Sequence, residues 1–162
     1  MQFKSLGLLL LAAVVAVQFG CGGGGGGGAA PVVQPTKALV KLASNGALPT
    51  GTLIGGISAT VTYPAAKFTI ADSAVAASGA AAGASTFLQA NVNNPGQVIL
   101  ALINVSPGIQ SGEFAALTFN IVAGSSTAAS DFAIDPGASI IDTNSAAIPG
   151  VTAVTIASVT FF

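Results

Sequence analysis

Oxygen-bearing side chains gather once in this sequence. Asp131, Asp135, Asp142 and Asn144 follow one another closely, and calcium is held by carboxylate and amide oxygens of this kind. Asp142-Thr143-Asn144 begins like an EF-hand loop, but the glycine and the terminal glutamate of such a loop are missing. Asp and Asn also close turns by accepting a bond from their own backbone two residues on. The stretch therefore reads either as a calcium site or as turn chemistry, and calcium is the one cofactor the sequence raises. Asp72 and Glu113 stand apart from it, and scattered acids do not make the facing pair that glycoside hydrolysis requires. The chain has no His, which excludes Ser–His and Cys–His nucleophiles. The expectation is a protein that is not an enzyme.

Aromatic rings are the second chemistry to consider, because sugar rings stack on them. There is no Trp and a single Tyr. Tyr63, Phe114 and Phe132 fall near the ends of apolar runs and are the candidate ligand-binding residues; the competing reading places each in the core. Phe87 and Phe119 read as core by alternation.

The only cysteine, Cys21, closes a short start and an apolar segment, Leu6–Val17. That segment is shorter than the ~20 residues a spanning helix needs, and the pattern is that of a secretory signal over residues 1–20. Gly20-Cys21 is similar to the lipobox of bacterial lipoproteins, in which the Cys is lipidated, although Gln18 and Phe19 depart from its usual residues. Cys21 is the candidate lipidation site. Residues 21–35 are a glycine run followed by a Pro-containing stretch. This is a flexible tether spanning roughly 20 Å, and without a strand before it and a helix after it, it is not a phosphate loop. The expected location is extracytoplasmic, on the cell envelope, with the membrane touched only through the anchor.

Charged residues make up 6% of the chain, against roughly 25% in ordinary globular proteins. Beyond Cys21, three lysines face five acids, a net of about −2. Phosphate contacts need clustered Lys and Arg, so a nucleic-acid partner is excluded.

Positioning these residues falls to short apolar runs cut by Gly, Pro, Asn and Ser. Thr36–Ser44, Thr52–Tyr63, Lys67–Ile70, Thr86–Asn93, Gln97–Asn104 and Glu113–Val122 read as strands. Gly55-Gly56 inside the second marks a bulge or bend. Gln97–Asn104 is apolar on both faces, which suits a strand buried on both sides or in a sandwich core. Asp72–Ser85 reads as a surface loop with at most one helical turn. Asp131–Ile134 is a short strand, and Ala138–Thr143 with Val151–Phe162 reads as a hairpin. About nine short strands with turn signals between them predict an all-β fold, an antiparallel β-sandwich over residues 36–162.

The segments GISATVTYPAAKFTI, NPGQVILALINVSPGIQSGEFAALTFNI and ASIIDTNSAAIPGVT, taken in order, resemble the cohesin domain, a jelly-roll relative of certain carbohydrate-binding modules. The resemblance covers most of Lys37–Thr160 and is most specific over Ala59–Ile70, Asn94–Leu102 and Gly112–Ile121. Pro64 follows Tyr63 directly where the family typically has Asp between them. The resemblance implies a non-catalytic binding module whose partner is a dockerin-like protein domain, as in cellulose-degrading complexes, or a polysaccharide. The alternative is a structural or assembly protein of the cell surface that pairs edge strands with a neighbouring copy.

Overall fold

The computed structural model describes residues 34–162 apart from Ala84, Val105 and Thr152. The predicted signal, the glycine run and Cys21 lie outside the described residues. Among the described residues no helix is long and apolar enough to cross a membrane.

Ten strands follow in order: β1 (Lys37–Asn45), β2 (Ile54–Thr62), β3 (Phe68–Thr69), β4 (Val75–Ala77), β5 (Phe87–Asn91), β6 (Gln97–Ile103), β7 (Gly112–Ile121), β8 (Ala133–Ile134), β9 (Ser139–Asp142) and β10 (Ala153–Phe161). They form two antiparallel sheets. One has the order β10-β1-β7-β3, with β4 also paired to β7; the other has the order β5-β6-β2-β8, with β9 also paired to β2. Alternation in the sequence builds the layer between them. Ile57, Ala59, Val61 and Tyr63 point inward from the β2 segment, Val98, Leu100 and Leu102 from β6, and Leu117 and Phe119 from β7. Fully buried Leu, Ile, Val and Phe side chains fill the space, and this burial is the main stabilising term.

Two expectations change. The segment Asp72–Ser85 holds β4 between two single 3-10 turns, Asp72–Ala74 and Gly79–Ala81. Ala138–Thr143 and the last strand are not a hairpin. β9 pairs with β2 in one sheet and β10 with β1 in the other, so the chain crosses the sandwich between them.

The bulge expected at Gly55-Gly56 is present, as a register shift between Ile54 and Gly56 against β9. A Cβ on Gly55 would stand 2.5 Å from the Asp142 carbonyl oxygen, so the close approach of β9 requires glycine there. β10 lies near β8 and β9, and β4 near β5, within 8 Å between Cα atoms. The ends of the described chain meet, with the Thr36 and Lys37 amides both donating to the Phe162 carbonyl at 2.9 Å. Asn45, Ile54, Asp142 and Ala153 therefore lie at the opposite end of the sandwich from Thr36 and Phe162.

Candidate functional site

The acidic stretch does not come together in space. Asp135 donates its amide to the Thr60 carbonyl at the end of β2, while Asp142 stands opposite Ile54 at its start. Six residues of strand separate those positions, on the order of 20 Å. Asp131 and Asp135 thus lie at one end of β2, and Asp142 and Asn144 at the other.

Each carboxylate is also engaged locally. Asp131 accepts the Lys67 ammonium at 2.8 Å and the Ala128 amide at 2.8 Å. These contacts hold its carboxyl below the usual range, the Lys67 bond first and the Ala128 bond second. Asp135 accepts from the Gly137 amide. Asp142 accepts from the amides of Asn144 and Ala146, both at 2.8 Å, and its carboxyl is likewise lowered, chiefly by the Ala146 bond. Asn144 supplies its backbone to this turn, and its residue is exposed. Among the described residues no group of three His, Cys, Asp or Glu side chains converges. The four residues therefore do not form one site: Asp131 joins an ion pair, and Asp135 and Asp142 accept turn amides.

The three candidate aromatics are core residues. Tyr63 is 9% exposed, Phe132 5% and Phe114 0%. Tyr63 continues the inward alternation of β2 one residue past its end, and meets Phe119 edge to face at 5.0 Å between centroids. The Phe132 ring centroid lies 4.6 Å from that of Phe68 and 4.9 Å from that of Phe119, its plane tilted against both. Phe114 is the extra residue of a bulge in β7: Leu42 faces Ala115 and Ala43 faces Glu113, which leaves Phe114 unpaired between them. The bulge resets the alternation. Phe114 turns into the core, and Glu113 turns outward to meet Lys41 at 3.1 Å. None of the three forms a platform for a sugar ring.

Phe87, read as core from the sequence, is instead 61% exposed. It stands opposite Ile103, which in turn faces Gly56 and then Ile141 of β9. The next row along the sheet is Gln89, Ala101, Ser58 and Ser139. The row after it is Asn91, Ile99 and Thr60. Partners across an antiparallel pair share a face, so these rows are the outer face of the β5-β6-β2-β9 sheet. No charged side chain stands in any of them. Ile99 and Ile103 are 40% and 50% exposed. The other sheet carries its charges outward, with Lys37 and Lys41 on β1 and Glu113 on β7.

β6, expected to be buried on both sides or in a sandwich core, is buried on one side only. A strand apolar on both sides must expose one of them when its antiparallel sheet is covered on one side only. Its outer apolar residues, Ile99, Ala101 and Ile103, follow from that alone.

The outer face of the β5-β6-β2-β9 sheet is thus an uncharged, partly apolar surface.

No protein-family model and no curated protein matches this chain. Solved structures do. The sixth cohesin of Acetivibrio cellulolyticus scaffoldin B, in complex with a Cel5 dockerin, is 19% identical over 79% of this chain and 86% of its own, with a TM-score of 0.54. A non-cellulosomal cohesin from the hyperthermophilic archaeon Archaeoglobus fulgidus is 15% identical over 71% and 74%, with a TM-score of 0.52. The CaDoc0917–CaCohA2 complex gives 20% identity over 76% and 92%, with a TM-score of 0.56. With its ten strands in two antiparallel sheets, the described chain therefore has the cohesin-like jelly-roll fold.

Proposed function

We propose that this chain is a non-catalytic protein-binding module that presents the outer face of the β5-β6-β2-β9 sheet to a domain of another protein. The observation that carries the reading is that face itself: a continuous uncharged sheet surface with Phe87, Ile99 and Ile103 exposed. Four of the five acids are engaged elsewhere, Glu113 and Asp131 in ion pairs and Asp135 and Asp142 in turns. That supports binding rather than catalysis. The similar fold of a cohesin solved with a dockerin supports a protein domain as the partner. The apolar row containing Phe87 lies at the end of the sandwich away from Thr36. Lipidation at Cys21 would place the module extracytoplasmically on the envelope, and Cys21→Ala should abolish labelling by a radioactive fatty acid.

The test is capture by the immobilised protein from the host's envelope and secreted fractions, with dockerin-bearing proteins as probes. The wild type should retain a specific protein that Ile99→Lys loses, because a charge at the centre of an uncharged interface is desolvated without compensation. Retention of the same protein by Ile99→Lys would remove this face from the reading. Binding only to polysaccharide, lost with Phe87→Ala, would transfer it to glycan recognition.

A further inference from the structure

The outer face is not flat. In the row Phe87–Ile103–Gly56–Ile141, three large apolar side chains flank a position that has none. A recess of about 200 Å³ opens there, lined chiefly by Gly56, Ser58, Ala101, Ile103, Ser139 and Ile141. A Cβ on Gly56 would stand 3.0 Å from Cγ1 and 3.1 Å from Cδ1 of Ile141. The hollow therefore depends on glycine, with Ile141 leaning over its edge.

Size and chemistry decide what fits. Pockets for metabolites and cofactors span about 300–1,000 Å³ and enclose most of the ligand, whereas this recess is smaller and open. Its lining is aliphatic carbon, strand backbone and the two serine hydroxyls. It holds no opposite charge to pair with a charged group. The rows around it are also uncharged, so a complementary partner surface is uncharged where it meets them.

We propose that the Gly56 recess is the anchor site for one aliphatic side chain, leucine, isoleucine or methionine, projecting from the uncharged surface of the protein partner. This rests on the reading of the outer face given above. Binding energy at interfaces concentrates in a few side chains that fill pockets, with surrounding contacts excluding water. Here Phe87 and Ile103 supply that surround on one side and Ile141 on the other.

The test is an NMR titration of the 15N-labelled full chain with N-acetyl-leucine methylamide, run beside the lysine and aspartate counterparts. The amides of Gly56, Ser58, Ala101 and Ile103 should move with the leucine probe and not with the charged ones. Ala101→Leu alters an exposed position and fills the recess, so it should suppress the movement several-fold while the rest of the spectrum stays in place. No movement up to the solubility limit, equal movement with charged probes, or movement that Ala101→Leu leaves intact overturns the proposal. Ile99 does not line the recess, which separates the two readings. A partner retained by Ala101→Leu but lost by Ile99→Lys keeps the binding face and overturns the anchor.

Discussion

Phe87 on β5 stands directly opposite Ile103 on β6, and both side chains point into solvent. A cross-strand pair of an aromatic and a β-branched residue contributes roughly 0.2–1 kcal/mol. Phe87→Ala should therefore lower stability by no more than about 1 kcal/mol in urea unfolding. Capture of a protein partner should weaken at least tenfold, about 1.4 kcal/mol, because aromatic anchors carry much of the binding energy at interfaces. A large stability loss with unchanged capture would assign Phe87 to folding instead.

Phe119 is the converse case. It is fully buried, and its ring centroid lies 5.0 Å from that of Tyr63, 6.1 Å from Phe68 and 4.9 Å from Phe132. Phe119→Ala removes a large side chain from a site where three rings meet and leaves a cavity. The expected cost is about 3–5 kcal/mol, read as a shift of the urea midpoint. A cost below about 1 kcal/mol would mean that the aromatic cluster is not the centre of the core.

The contrast between these two residues shows what the sequence carries. Inward positions on β2, β6 and β7 follow from period-two alternation, and the all-β sandwich follows from their number and spacing. Alternation gives two faces but does not say which is covered, so Phe87 reads as core although it is not. The bulge in β7 resets the phase and, unlike the one at Gly55-Gly56, carries no glycine to mark it, so Phe114 reads as a strand-end residue although it is buried. Nearness in sequence also misleads. Asp131, Asp135, Asp142 and Asn144 are close in the chain, but β8 and β9 attach to opposite ends of β2. The hairpin reading of the last two strands failed for a related reason, since the choice of sheet depends on pairing with β1 and β2.

Gly55 and Gly83 should respond oppositely to alanine. A Cβ at Gly55 would meet the Asp142 carbonyl oxygen at 2.5 Å and the Thr143 Cα at 2.6 Å. These are backbone atoms that yield only by moving β9. Gly55→Ala should cost roughly 1–3 kcal/mol as overpacking. At Gly83 a Cβ meets nothing within 4 Å, so Gly83→Ala should stabilise by about 0.4–1 kcal/mol through the unfolded chain. Thermal midpoints of the two variants check both signs, and a stabilised Gly55→Ala would contradict the close approach of β9 to the bulge.

Acid should weaken this fold partly through Asp131, which joins the turn before Phe132 to Lys67 beside β3. Its carboxyl titrates below the ordinary value of 3.8, held down by the Lys67 ammonium and then by the Ala128 amide. A folded pKa below the unfolded one means that the unfolded chain binds the proton more readily. The contribution is then fully present above about pH 3.8 and is lost as pH falls through the lower folded value. Asp131→Asn removes the charge while keeping an acceptor oxygen. Its melting temperature should be lower than the wild type's at neutral pH, and the gap should narrow as the pH drops below 3.8. Melting curves of both proteins across that range measure the difference. A gap that widens toward acid would mean that the Lys67 contact adds nothing to stability and that the Asp131 carboxyl is better placed protonated.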